Sequence, residues 1–171
     1  DSDVRTRAVG ALNAVVQHLP SPDVSSAYLP LVQRMATNQW FTVRAAACGT
    51  LAALFSLVVA DAQAELVEAY RVLASDSVPM VRRAAAAALK DLVGVMPASS
   101  LEEVTDPLWA SLTEDEQDNT RIQVAACLPV FVTAYTTTAA AASVEGGASG
   151  GEAAAAAAMA SMEKVLPVLH T

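Results

Sequence analysis

An arginine that returns at nearly constant intervals is the feature that most limits how this chain can fold. Four arginines are separated by 39, 38 and 39 residues, and each directly follows a valine or a threonine; they are Arg5, Arg44, Arg82 and Arg121. A fixed period of this size is typical of a stacked array, in which each unit is a pair of helices packed on its neighbours. The sequence therefore predicts a repeat protein and not one closed core.

Apolar residues keep the same register in every unit. Counted from the residue before each arginine, the positions four, eight, eleven and fifteen further on are all apolar. In that order they hold Ala8, Ala47, Ala85 and Val124; then Leu12, Leu51, Leu89 and Leu128; then Val15, Leu54, Leu92 and Phe131; then Leu19, Val58, Met96 and Tyr135. These spacings place one stripe on one face of a helix, so each unit should end in a core-facing inner helix.

A second amphipathic segment precedes the later arginines and predicts the outer helices, at 28–35, 66–73 and 104–112. Pro30 and Pro107 each lie fourteen residues before an arginine. A proline near a helix start loses no needed hydrogen bond, whereas one deeper inside would kink the helix. Polar turns should join the two helices of each unit, at 37–42, 75–78 and 113–119, with Asp3, Thr42 and Asn119 as predicted helix caps.

This register describes residues 1–171 as a single array, and the expected fold class is all-α, an α-solenoid of antiparallel helix pairs stacked in a right-handed superhelix. Pro167 lies 60 residues after Pro107, about twenty more than the repeat predicts, so an Ala/Gly-rich insertion is expected. The predicted parts are an inner helix at 1–19, complete repeats at 22–60, 62–96 and 99–135, the insertion at 136–158, and the first helix of a following repeat at 159–171. A start at Asp1, without Met or signal peptide, suggests a fragment of a longer protein.

Charge and composition argue against several classes of partner. The net charge is −8 and no run of Lys or Arg occurs, so nucleic acid is not an expected partner. The longest apolar stretch, 51–60, is about half of the roughly 20 residues that cross a bilayer, so no membrane is expected. Cys48 and Cys127 lie in apolar helical patterns, which predicts reduced core thiols in a cytoplasmic or nuclear protein.

No constellation of catalytic, cofactor-binding or metal-binding residues is evident, so the sequence predicts a binding protein and not an enzyme. The two histidines, His18 and His170, have no partner at a suitable spacing. The acidic run 114–118 lacks the glycine and the terminal glutamate of a calcium loop. We interpret it as a solvated turn, although such a turn can also receive a basic partner.

Residues present in only one unit are the candidates for partner recognition, because residues repeated in every unit serve the stack. The repeated arginines should pair with acidic side chains or turn carbonyls of a neighbouring unit. At the position directly after the repeated arginine, one unit has Arg83, whereas the others have Thr6, Ala45 and Ile122. Trp40, followed by Phe41, has no counterpart either. These rings could cover the end of the stack, or they could bind a protein along the turn edge formed by residues 38–41, 76–80 and 115–119.

At these turns the sequence resembles the scaffold subunits of protein phosphatase 2A, a family of HEAT-repeat proteins. The resemblance covers about residues 1–134 and rests on three segments in the same order and spacing: Trp40-Phe41-Thr42-Val43-Arg44 with Ala47-Cys48-Gly49, the run from Ser75 to Ala86, and Asp115-Glu116-Gln117-Asp118. The glycine-alanine insertion departs from the family pattern.

The resemblance implies a horseshoe-shaped, non-catalytic scaffold without cofactors. In that family the turns of the amino-terminal repeats receive B-type regulatory subunits, and the catalytic subunit binds later repeats, outside this chain. The implied partner-binding residues are Trp40, Phe41, Asp76, Pro79, Met80, Arg83, Asp115, Glu116, Gln117 and Asp118. Two alternatives remain: an adaptor of nuclear transport or trafficking, and a helical enzyme with an unrecognised site.

Overall fold

Helices joined by short turns make up the part of the chain that the computed structural model describes, residues 2–134 and 137. The helices are α1 (Ser2–Val16), α2 (Ser21–Asp23), α3 (Leu29–Ala36), α4 (Phe41–Phe55), α5 (Ala60–Ala74), α6 (Pro79–Val95), α7 (Ala98–Thr113) and α8 (Asp118–Ala125), with a further helical stretch at 128–134. Apart from Thr137, the predicted insertion and the helix predicted at 159–171 lie outside the described residues, as does His170.

Two parallel rows of helices organise the described chain. The inner row runs through α1, α4, α6 and α8, and the outer row runs through α3, α5 and α7. Each outer helix also packs on the inner helix that follows it in sequence. The helix-pair array predicted from the arginine period is therefore confirmed as an all-α solenoid.

The predicted apolar stripe forms the core of the middle units. Leu51 and Leu54 of α4 and Leu89 and Leu92 of α6 are buried, at 2 % exposure or less. They belong to one continuous hydrophobic core, as expected for a stripe spaced by three and four residues along a helix.

The first unit departs from the predicted burial. Ala8 is exposed, and Val15 is 53 % exposed although it belongs to the predicted stripe. α1 packs on α4 through another face, where Asn13 Nδ2 donates a hydrogen bond to the Gly49 carbonyl at 2.8 Å. No helix of the described chain covers the face that bears Val15, because α1 has only α4 as a close packing partner there.

The two repeated prolines are accommodated in different ways. Pro30 stands at the start of α3, directly after a π-helical turn, Val24–Tyr28, in which the Leu29 N–H bonds to the Val24 carbonyl five residues back. The wider turn gives room to a ring that would clash with a carbonyl four residues back. Pro107, in contrast, lies well inside α7. The position near a helix start therefore applies to Pro30, and the position inside a helix applies to Pro107.

Candidate partner-binding edge

The turns within the three described units share one construction. In each, an Asn or Asp side chain accepts a hydrogen bond from the backbone N–H two residues later: Asn38 from Trp40 at 2.9 Å, Asp76 from Val78 at 2.8 Å and Asp115 from Gln117 at 2.8 Å. Trp40, Val78 and Gln117 are the N-cap residues directly before α4, α6 and α8, and none of them makes a side-chain cap hydrogen bond. The Asx turn thus orders the helix start.

The helix caps predicted at Thr42 and Asn119 are therefore wrong. Thr42 is the second residue of α4, and Asn119 is the second residue of α8. The residue that shapes each helix start lies earlier, six positions before the repeated arginine, where its short polar side chain can reach the next turn of backbone.

Each repeated arginine in the last three units braces its own turn. The Nη1 atom of Arg44 donates to the Asn38 carbonyl at 2.8 Å, that of Arg82 to the Asp76 carbonyl at 2.9 Å, and that of Arg121 to the Asp115 carbonyl at 2.7 Å. The carbonyl always belongs to the residue six before the arginine. The prediction that these carbonyls come from a neighbouring unit is wrong, since α4, α6 and α8 bring each arginine back over its own turn.

The same arginines hold the next unit through a carboxylate. Arg44 donates from Nε and Nη2 to Asp76 at 2.6 and 3.0 Å, and Arg82 donates from the same atoms to Asp115 at 2.6 and 3.3 Å. Arg82 also reaches Glu116 at 3.0 Å. Two-pronged pairs of this kind are the strongest hydrogen bonds between side chains. We call these contacts the arginine–aspartate ladder, and they confirm the predicted pairing with acidic side chains.

The ladder changes at the ends of the described array. Arg121 pairs with Asp118 of its own turn. In the unit that follows α1, Asn38 occupies the position held by Asp76 and Asp115 in the later units, so no carboxylate stands at that position for Arg5. Arg5 has no ion pair within the described residues, which leaves the first contact of the ladder unmade.

The ladder lowers the pKa of both aspartates. The Arg44 hydrogen bond holds the pKa of Asp76 below its usual value, against the opposing effect of burial. For Asp115, burial is the largest single influence and raises the pKa, but the hydrogen bonds from Arg82 and from the Gln117 N–H and the charge of Arg82 act against it, and the net pKa lies below its usual value. Both carboxylates are therefore held in the charged form that the ladder requires.

Two of the candidate binding residues thus have little surface to offer a partner. The side chains of Asp76 and Asp115 are only 8 % and 4 % exposed, and their carboxylates are occupied by the ladder. Pro79, Glu116, Gln117 and Asp118 are exposed. A binding role for any of these residues remains a prediction.

The two adjacent rings at the first turn lie in different surroundings. Phe41 is half-buried and packs against the core, whereas Trp40 is 65 % exposed. An indole that is mostly exposed contributes little to the core, and aromatic side chains of this kind are enriched where proteins bind one another. Trp40 is followed along the turn edge by Met80, which is 47 % exposed.

A groove of about 360 Å³ opens beside these turns on the inner row. It brings together three of the candidate residues, Phe41, Met80 and Arg83. It also includes residues that were not candidates for partner binding, namely Arg5, Ala45, Gln123 and two alanines of α6. We call it the two-arginine groove. Its parts come from four helices up to 118 positions apart in the chain (123−5), so only their helical register could have indicated it.

The two thiols are buried, as predicted, and are free cysteines. Burial raises the pKa of Cys48 to about 12 and also raises that of Cys127. Within the described ranges, no group of three His, Cys, Asp or Glu residues is arranged to hold a metal ion. None of the helices described is long and apolar enough to cross a membrane.

Comparison with known proteins places the sequence among helical repeat proteins. The family model for HEAT repeats matches residues 29–129. The chain is 36 % identical over 122 residues to the Caenorhabditis elegans protein named "Probable serine/threonine-protein phosphatase PP2A regulatory subunit". It is 35 % identical over 120 residues to the A-type regulatory subunit of protein phosphatase PP2A from Schizosaccharomyces pombe. Each alignment covers 70 % of this chain but only 20 % of the relative.

A human relative shows the same similarity over a shorter part of the chain. The chain is 37 % identical over 97 residues to the beta isoform of the A-type 65 kDa regulatory subunit of serine/threonine-protein phosphatase 2A. That alignment covers 57 % of this chain and 16 % of the human protein. The resemblance inferred from the three turn segments is confirmed by these matches. The chain spans about a fifth of the length of these relatives.

Proposed function

This chain belongs to the HEAT-repeat family, and we propose that it serves as part of a non-catalytic scaffold of a Ser/Thr phosphatase 2A, binding B-type regulatory subunits along its turn edge. The observation that carries the proposal is the run of exposed Trp40 and Met80 on consecutive turns. The ladder beneath holds those turns at fixed spacing. A rigid edge with exposed apolar anchors suits protein binding, because little conformational entropy is lost on contact.

The relatives favour a phosphatase scaffold over the two alternatives. Their names identify regulatory subunits of phosphatase 2A, not transport adaptors and not catalytic proteins. We therefore propose that the catalytic subunit binds repeats outside this chain, and that the assembly acts in the cytoplasm and nucleus. Neither nucleic acid nor a membrane is part of the proposed assembly.

Replacement of Trp40 tests the turn edge directly. Trp40→Ala should weaken binding of a purified B-type regulatory subunit by about 2 kcal/mol, as expected for an interface hot spot. Titration calorimetry with the full-length parent protein would measure the loss. Val59→Ala is the matched control, because Val59 is also exposed but lies in the connection between units, away from the turn edge. Equal effects of the two variants would contradict the proposed edge.

The non-catalytic role has a separate test. The parent protein alone should release no phosphate from a phosphopeptide, and it should change the activity of an added catalytic subunit. Turnover by the parent protein alone, retained after removal of any co-purifying catalytic subunit, would overturn the scaffold proposal in favour of an enzyme.

A further inference from the structure

Two arginines from different helices line the two-arginine groove. Arg5 belongs to α1 and Arg83 to α6, the two inner helices that pack on either side of α4. Phe41 and Ala45 of α4 line the groove between those helices, and Met80 lines it one helical turn before Arg83. The groove therefore combines two guanidinium groups, one from each neighbouring helix, with an apolar floor.

The positive charge of the groove is not neutralised by nearby acids. Neither Arg5 nor Arg83 forms an ion pair among the described residues, in contrast to the arginines of the ladder. The lining of the groove contains no Asp or Glu, although the whole chain carries a net charge of −8. Guanidinium groups beside apolar walls attract an anion more strongly than fully solvated ones, because the local dielectric constant is lower.

Two guanidinium groups suit a phosphoryl group better than a carboxylate. A carboxylate has two oxygens in one plane, and the fork of a single arginine can bind both. The phosphoryl group of a phosphorylated side chain has three terminal oxygens and a charge of about −1.5 to −2 at neutral pH, so it can accept hydrogen bonds from two arginines at once. Gln123 of α8 also lines the groove, and its amide can donate a further hydrogen bond.

The apolar floor favours a phosphorylated protein segment over a free phosphate ion. Met80 is 47 % exposed, and Phe41 and two alanines of α6 line the groove with it. A phosphate ion held by the arginines would leave this apolar surface in water. A protein segment would cover it with the residue beside the phosphorylated side chain, and that burial adds to the binding free energy.

We infer that the two-arginine groove binds the phosphoryl group of a phosphorylated protein segment, and that an apolar residue beside it packs on Met80. Arg5 and Arg83 supply the hydrogen bonds and the opposite charge. This binding does not depend on the proposed function. Its use does: in a phosphatase assembly the groove would hold one phosphorylated residue of a substrate, away from the catalytic subunit.

Fluorescence anisotropy of labelled peptides, titrated with the 171-residue chain, tests the groove. The probe is a short peptide of glycine, alanine and serine with one phosphoserine beside a leucine. It should bind about tenfold or more tightly than the same peptide without phosphate, since hydrogen bonds to charged groups are lost with the phosphate. Inorganic phosphate should displace it only at much higher concentration, because the ion leaves Met80 uncovered. Equal affinity of the two peptides, or displacement by phosphate at the concentration of the peptide, would overturn the inference.

Charge-removing variants locate the site. Arg83→Gln and Arg5→Gln should each weaken binding of the phosphopeptide about tenfold and leave the unphosphorylated peptide unchanged. Arg7→Gln is the matched control, because it removes the same charge from an exposed position of α1 outside the groove. It should change the affinity by less than about twofold in physiological salt. Similar losses in Arg7→Gln and Arg83→Gln would indicate diffuse attraction and contradict a built site. Thermal melts confirm that all three variants fold.

The outcomes separate this inference from the proposed function. If the phosphopeptide does not bind, yet Trp40→Ala weakens binding of a regulatory subunit, the groove inference is wrong and the scaffold proposal stands. If the phosphopeptide binds through Arg83 but no regulatory subunit binds the parent protein, the scaffold proposal fails and the groove is still a phosphoryl site. A single-stranded oligonucleotide should not compete, because the net negative charge of the chain repels a phosphate backbone, and efficient competition would contradict a protein segment as the occupant.

Discussion

Arg82 and Arg83 are neighbours in sequence with different surroundings. Successive residues of a helix point about 100° apart, so the two side chains leave α6 in different directions. Arg82 is directed to the next unit, where it contacts Asp115 and Glu116. Arg83 is exposed and lines the two-arginine groove. One serves the stack, and the other is available to a partner.

We expect substitutions of these two arginines to separate stability from binding. Arg82→Ala should lower the free energy of unfolding by about 2 kcal/mol, because it leaves the enclosed Asp115 carboxylate without its partner. Arg83→Ala should change stability by less than about 0.5 kcal/mol, as is usual for exposed sites. Urea unfolding followed by circular dichroism measures both. Similar loss of stability in the two variants would refute the division.

The ladder should also make stability depend on acid pH. Arg44 lowers the pKa of Asp76 in the folded chain below the unfolded value of about 3.9. The contribution of Asp76 is therefore complete above that value and is lost as the pH falls through the folded pKa. The stability advantage of the natural chain over Asp76→Asn should shrink below about pH 4, in urea titrations from pH 6 to pH 2. Asp91 is exposed on α6 and lies outside the ladder, so the difference in stability between the natural chain and Asp91→Asn should not shrink in the same way at low pH.

Among the elements, α1 and α4 approach closely at one glycine. A Cβ atom added at Gly49 would lie 2.9 Å from Val9 Cγ1, too near for normal contact. Val9 is β-branched and has little rotameric freedom to move away. The approach also permits Asn13 of α1 to hydrogen-bond the Gly49 carbonyl. Gly49 thus allows the first inner helix to dock.

Gly49→Ala should destabilise the docking of α1 by about 1 kcal/mol, because overpacking of roughly 1–3 kcal/mol exceeds the helix-propensity gain of about 1 kcal/mol. Thermal unfolding measures the net effect. Gly10→Ala is the matched control, since nothing lies within 4 Å of the added Cβ and only the propensity gain should appear. Combining Gly49→Ala with Val9→Ala should relieve the clash; failure of that rescue would locate the strain elsewhere.

At the scale of the whole molecule, stability should vary along the array. In a stacked repeat each unit is held by its nearest neighbours, so a helix with fewer neighbours opens more readily. α6 packs on α4, α5, α7 and α8, whereas α1 packs closely on α4 alone among the described helices. The arginine–aspartate ladder strengthens the contacts between the middle units, but the contact between the first two units lacks the carboxylate.

Hydrogen exchange should therefore be uneven. Amides of α1 in this 171-residue chain should exchange faster than those of α6, and Asn38→Asp should slow exchange in α1 by giving Arg5 the carboxylate that Arg44 and Arg82 have. Mass spectrometry of peptic fragments measures the rates. Uniform protection along the chain, or no response of α1 to Asn38→Asp, would count against a ladder that acts joint by joint.

The sequence alone determined the array and its period. The spacing of Arg44 and Arg82 and the register of Leu51 and Leu89 are local properties of the chain, and a helical period converts them directly into helix pairs. Comparing the units with one another also assigned Arg82 to the stack and Arg83 to the surface, where the structure has them. The same comparison would have marked Asp76 and Asp115 as stack residues, because each lies six positions before a repeated arginine.

Tertiary structure decided which turn residues remain free. Asp76 and Asp115 look like solvated acids in sequence, but each is bound by an arginine 32 or 33 positions earlier. Trp40 and Phe41 look equivalent, but only Phe41 faces the core. The groove that joins Arg5 to Arg83 depends on inner helices packed side by side. Distances across units follow from packing angles and register, which no stretch of sequence shorter than the array specifies.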